Sequence, residues 1–195
     1  MSKRRGLNII LDLDETLINS QAYEDLTSSE KKKFMRRFKN HNMDGYYLVC
    51  ERPHVQDFLD YVFKHFNVSV WTAASESYAK FIINNVILVK PNRKLEYFFW
   101  DKHCKMSRKK FNKQPKNLNL LIKKLPDFHS DNTFIIDDLP DVWRPQKCNS
   151  IPAIAFDVSE RNSDGDKFLQ NIIPVLEKLR MERPTCLTGQ CHAQR

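Results

Sequence analysis

The 195-residue chain has no apolar stretch approaching the roughly 18 residues that cross a bilayer, so no membrane span is expected. It has only 4 glycines and 9 prolines, too few for a collagen-like or low-complexity chain. Its 5 cysteines (Cys50, Cys104, Cys148, Cys186 and Cys191) form an odd set without a Cys-x-x-Cys pair. That argues against a disulfide framework and a common zinc site, and reduced thiols are expected. Cys186, Cys191 and His192 sit together near the C-terminus, but three ligands in a short tail are a weak metal signal. Met1 to Gly6 is charged and leads straight into a strand with no apolar signal region, from which a nuclear or cytosolic, non-secreted protein is expected.

What the sequence has is a globular composition, 41% hydrophobic and 29% charged, in a length that suits one domain. The formal net charge of +8 is local. Lys31 to Lys39 holds six basic residues and Lys102 to Lys116 seven, with no acid in either, and the remainder carries 19 basic against 24 acidic residues. Local basic surface attracts phosphorylated or acidic partners. Nucleic-acid phosphates answer to the same field and stay open as the less favoured partner. A merely solvated helix face is the competing explanation for the first run.

Strand and helix signals alternate along the chain. Leu7 to Leu11, Val68 to Trp71, Thr133 to Ile136 and Ile151 to Phe156 are short apolar runs that read as buried parallel strands. Helical spacing marks Val55 to Phe66, the stretch through Tyr78 and Ile82, Leu118 to Leu125, and Phe168 to Leu179 despite Pro174. Thr27 to Glu30 has the spacing of a capping box, and Tyr46 to Cys50 reads as a strand after the Asp44-Gly45 turn. Residues 102–116 read as basic and irregular. The expectation is one α/β domain over 1–182, a Rossmann-like parallel sheet with helices on both faces. An insertion occupies about 20–50, and 183–195 form a flexible tail.

In such sheets ligands bind beyond the carboxyl ends of the strands. Three predicted strands end there in polar groups: Asp12 and Asp14, then Thr72, then Asp137 and Asp138. Four carboxylates in one crevice call for a cation, and hard oxygen ligands suit Mg²⁺.

The run Asp12-Leu13-Asp14-Glu15-Thr16-Leu17 after an apolar strand resembles the first motif of the haloacid-dehalogenase superfamily in its phosphatase form. Glu51-Arg52-Pro53-His54-Val55, Trp71-Thr72-Ala73-Ala74-Ser75 and Phe134-Ile135-Ile136-Asp137-Asp138 resemble, in order, later blocks of its small C-terminal-domain phosphatases (the NLI-interacting-factor-like family). The likeness covers residues 7–20, 48–86 and 116 to about 180. It implies a haloacid-dehalogenase fold and a Mg²⁺-dependent phosphoserine/phosphothreonine protein phosphatase, with the RNA polymerase II tail as the family's substrate. It also implies that Asp12 attacks phosphorus to form an aspartyl-phosphate and that Asp14 is the general acid and base. Asp12, the backbone carbonyl of Asp14, Asp137 and Asp138 would hold the metal. Thr72 and Lys116 would act as catalytic and substrate-binding groups, with Thr16 as a further substrate contact, and Lys102 is the expected substitute for a family arginine absent from this chain.

Lys113, Lys116, Lys123 and Lys124 all compete for the family's lysine, and Lys116 fits best because it opens a helix. Two positions depart from the family pattern. Asp138 stands where an asparagine is usual, and Asp101 replaces an arginine three residues before Cys104 that helps hold the substrate phosphate. The insertion reads as more helical than the family's small sheet. Two alternatives keep the same residues: a phosphatase of nucleic-acid ends or small phosphate esters, and a non-catalytic phosphopeptide-binding scaffold. The sequence sets no oligomeric state.

Overall fold

A computed structural model describes residues 6–182. The proposed tail at 183–195, with Cys186, Cys191 and His192, lies outside them, as do Met1 to Arg5.

Five parallel strands make the central sheet: β1 (Asn8–Leu11), β5 (Asn67–Trp71), β6 (Tyr97–Phe99), β7 (Thr133–Asp137) and β8 (Ser150–Pro152). Their order is β6-β5-β1-β7-β8, so β1 lies between β5 and β7, with Leu11 in register with Val70 and Ile136. The strands are largely apolar, with the polar positions mostly at their ends, because both faces are covered. Ile9, Leu11, Val70 and Ile136 pack on one side against α2 (Val55–His65), α3 (Glu76–Ile82) and α7 (Phe168–Glu182). Ile10, Trp71 and Ile135 point the other way, into Cys104 of α4 (Asp101–Lys110) and Leu120 and Leu121 of α5 (Asn119–Ile122). The period of two along each strand thus feeds two separate cores.

The insertion corrects the sequence reading. It contains α1 (Ser28–Arg37), capped by Thr27 and Glu30, but it is built on a three-stranded antiparallel sheet of β2 (Ile18–Ala22), β3 (Asn40–Met43) and β4 (Tyr47–Glu51), ordered β2-β4-β3. β3 has the sequence Asn-His-Asn-Met, which carries no alternating apolar signal. The segment read as irregular at 102–116 is also corrected: α4 occupies its first two-thirds. It buries only Cys104 and Ser107, too few apolar positions to register as helical periodicity. The fourth expected strand shrinks to β8, and β6 had no sequence assignment. The helix expected over Leu118 to Leu125 is the single turn α5. Cys50 and Cys104 are buried free thiols.

Candidate active site

Asp12 follows directly on β1, where its backbone N–H still donates to Ile136 on β7 at 3.1 Å. The chain then reverses tightly. Leu17 and Ile18 N–H both donate to the Leu13 carbonyl, at 2.8 and 3.1 Å, and Glu15 takes the left-handed conformation at φ 59°. The turn carries Asp14 out of the sheet and delivers the chain into β2. It is held from outside by Arg52, whose guanidinium is fully buried and donates to the carbonyls of Thr16 at 3.1 Å and Ile154 at 2.8 Å. The same group forks onto Asp166, with Nε to Oδ1 at 2.9 Å and Nη2 to Oδ2 at 2.8 Å.

Lys116, far along the chain, comes to this turn. Its Nζ donates to Asp12 Oδ1 at 2.6 Å and to Asp137 Oδ2 at 2.7 Å, with all three side chains buried. Lys113, Lys123 and Lys124 are exposed. Gln146 fixes the segment, its Nε2 donating to the Lys116 carbonyl at 2.8 Å and its Oε1 accepting from Leu118 N–H at 3.1 Å. Burial disfavours the ammonium, but the carboxylates of Asp12 and Asp137 outweigh it and raise the Lys116 pKa.

Carboxylate oxygens of Asp12, Asp137 and Asp138 lie within 4.8 Å of one another. Burial, then the neighbouring Asp12 charge, pushes the Asp138 carboxyl up to about 6. The same two causes raise Asp137 against the opposing pull of Lys116. Three acids around one lysine leave excess negative charge in a poorly solvated site, and an all-oxygen donor set of this kind fits Mg²⁺. Thr16 is buried beneath these groups, and its hydroxyl donates to Asp138 Oδ1 at 3.3 Å. It supports a carboxylate, and its hydroxyl is not open to a substrate.

Asp14 stands apart from the triad. Burial, the largest cause, raises its carboxyl to about 6. Its Oδ1 accepts a hydrogen bond from the hydroxyl of Tyr78, which also lies 2.5 Å from Ser20 Oγ. Thr72 is buried at the end of β5, and its Oγ1 accepts from Ala74 N–H at 3.0 Å. Lys102 is exposed in the first turn of α4. That turn is tied to the crevice by Asp101 N–H donating to the Ala74 carbonyl at 3.0 Å. Asp101 itself, at the position of the family's arginine, pairs with Lys105 at 2.7 Å.

The structure therefore gathers Asp12, Lys116, Asp137 and Asp138 in one cluster, with Thr16 beneath it and Asp14 at its edge. Lys102 has no contact to this cluster. Sequence reasoning missed Tyr78, Gln146 and the anchoring by Arg52. A tyrosine on a buried helix face had carried a signal, since a buried phenol needs a polar partner.

Comparison with known proteins agrees with this geometry. The chain is 44% identical over 177 residues to "Putative CTD phosphatase-like protein 355R" of Invertebrate iridescent virus 6, covering 88% of this chain and 97% of the relative. It is 28% identical over 180 residues to "CTD nuclear envelope phosphatase 1" of Xenopus laevis, covering 88% of this chain and 66% of the relative. Among solved structures, that of Fcp1, an essential RNA polymerase II CTD phosphatase, matches with a TM-score of 0.55 at 19% identity. The match covers 98% of this chain and 55% of that one, a likeness of fold. With its haloacid-dehalogenase fold, its ordered motifs and a match over residues 7–186, this chain belongs to the NLI interacting factor-like phosphatase family.

Proposed function

We propose that this protein is a Mg²⁺-dependent phosphoserine/phosphothreonine protein phosphatase that works through an aspartyl-phosphate on Asp12. The observation that carries the reading is the buried Lys116 bridge between Asp12 and Asp137, with Asp14 at the edge of the same crevice. That arrangement orients a carboxylate nucleophile while a second carboxyl stands nearby for proton transfer.

In the first half-reaction an Asp12 oxygen attacks phosphorus and the bond to the seryl or threonyl oxygen breaks. Asp14 gives its proton to that oxygen. Water then attacks phosphorus, the Asp12–phosphorus bond breaks, and Asp14 takes the water's proton, so that phosphate leaves and both carboxyls return to their starting states. Positioned acid–base help of this kind is worth roughly 10²–10⁴ in rate. Lys116 offsets charge on the phosphoryl oxygens, and Thr72 at the end of β5 is the hydroxyl group nearest in role to a phosphoryl ligand. Asp12, Asp137, Asp138 and the Asp14 carbonyl would hold Mg²⁺, whose charge lets one anion approach another.

The names of the relatives support a phosphorylated protein as substrate, and the basic surface of α4 suits an acidic one. No helix among the described residues is long and apolar enough to cross a membrane, which is compatible with a nuclear or cytosolic substrate. The test is acid quenching during turnover of a phosphoserine peptide. A phosphoryl group on the proteolytic fragment containing Asp12, absent from Asp12→Asn, is the expected result. Turnover with no phosphoryl-enzyme would overturn the mechanism, and faster hydrolysis of a phosphorylated oligonucleotide end than of the peptide would overturn the substrate class.

A further inference from the structure

Resting on the phosphatase reading above, the geometry points to Tyr78 as the positioning residue that sets which oxygen of Asp14 carries the proton given to the leaving group. Tyr78 lies on α3, while Asp14 is on the turn after β1 and Ser20 is on β2 of the insertion. Its ring is nearly buried and is held edge-on by Tyr47 of β4, with centroids 5.5 Å apart and planes at 82°. Its hydroxyl meets both Asp14 Oδ1 and Ser20 Oγ. A phenol has one proton to donate. Asp14 Oδ1 receives that proton, so the Ser20 hydroxyl must donate in turn to the Tyr78 oxygen. The result is a chain of two hydrogen bonds, Ser20 to Tyr78 to Asp14, running in one direction.

This direction has a chemical consequence. An oxygen that accepts from Tyr78 is the carbonyl-like oxygen of a protonated Asp14, so the acid proton resides on the other oxygen, Oδ2. Without the phenol the proton can sit on either oxygen, and the carboxyl can rotate. Tyr78 and Asp14 also share one wall of a cavity of ≈ 640 Å³ lined by Ser20, Met43, Tyr46 and Tyr47. The leaving group of a substrate occupying that cavity departs beside the carboxyl that Tyr78 orients.

Leaving-group dependence separates this role from ordinary packing. The second-order constant kcat/KM reports only steps up to departure of the leaving group. It therefore sees Asp14 as an acid and is blind to its later service as a base. The experiment compares kcat/KM for a series of aryl phosphates, from 2,4-dinitrophenyl to phenyl phosphate, in native protein, Tyr78→Phe, Ser20→Ala and Asp14→Asn. Dinitrophenolate leaves without a proton, whereas poorer leaving groups need one. Tyr78→Phe should lose about tenfold on phenyl phosphate and no more than about twofold on the dinitrophenyl ester, part of the full general-acid contribution. The plot against leaving-group pKa then steepens toward that of Asp14→Asn. If Tyr78→Phe does not fold, Ser20→Ala, which removes the hydroxyl orienting the phenol, should steepen the same plot to a smaller degree. An equal loss across the series, or none, overturns the inference. If Asp14→Asn itself leaves the slope unchanged, Asp14 is not the acid, and the mechanistic reading fails together with this one.

Discussion

Lys116 is where stability and chemistry meet in a single side chain. Removing it leaves Asp12 and Asp137 buried and facing each other without compensation, and breaking a buried pair in this way costs about 3–5 kcal/mol. Lys116→Ala should therefore be inactive and melt well below the native protein, and Mg²⁺ should restore part of the loss by binding the freed carboxylates. Asp12→Asn should behave oppositely. It keeps the 2.7 Å Lys116–Asp137 pair and removes one of three clustered acids, so its melting temperature without metal should match or exceed the native value. Calorimetry with and without Mg²⁺ checks both, and a large destabilisation of Asp12→Asn would contradict the charge argument. The positions of Asp12, Thr72 and Asp137 were legible in the sequence because each closes an apolar strand run, and Asp14 follows two residues after Asp12 in the turn. Lys116 was legible only as one of four lysines, since spacing does not reveal burial. Tyr78 read only as a position on a helix because its partner Asp14 is 64 residues away.

Among the elements, the three central strands β1, β5 and β7 were the most legible part of the fold, because burial on both faces writes a largely apolar run, whereas the short outer strands β6 and β8 were missed or overextended. α4 and β3 were not, since a helix that buries two residues and a strand of polar ones give hydrophobic periodicity nothing to show. The turn that presents Asp12 and Asp14 depends on a tie between distant elements. Arg52 joins it to Asp166 just before α7 and is covered by the rings of Phe156 and Phe168. Burial alone would raise the Asp166 carboxyl, but the Arg52 fork outweighs it and holds the carboxyl below its ordinary value. A depressed folded-state pKa contributes stability that is complete above the unfolded value of about 3.9 and is lost as pH falls through the folded one. Asp166→Asn should thus cost about 3 kcal/mol at pH 7, where it strands a buried guanidinium, and progressively less under acid. Urea titrations at neutral and acid pH measure this. A deficit independent of pH would show that the tie is not electrostatic.

At the scale of the whole molecule, the fold brings strand ends that are distant in sequence to one edge of the sheet, and the insertion closes over it. Ser20 and Tyr47 meet Tyr78 of the main domain at Asp14. The basic residues that give the chain its +8 charge lie largely on exposed faces of α1 and α4, outside the buried cluster, so they bear on the approach of an anionic substrate and leave the chemistry to the carboxylates. The central claim is that this edge is a metal-assisted phosphoryl-transfer site built on Asp12. The measurement that tests it most directly is hydrolysis of p-nitrophenyl phosphate by the native chain and by Asp12→Asn, each with Mg²⁺ and with EDTA. Turnover by the native chain that needs Mg²⁺ and disappears in folded Asp12→Asn is the predicted result. Turnover that survives in Asp12→Asn, or none from the metal-loaded native protein, would contradict it.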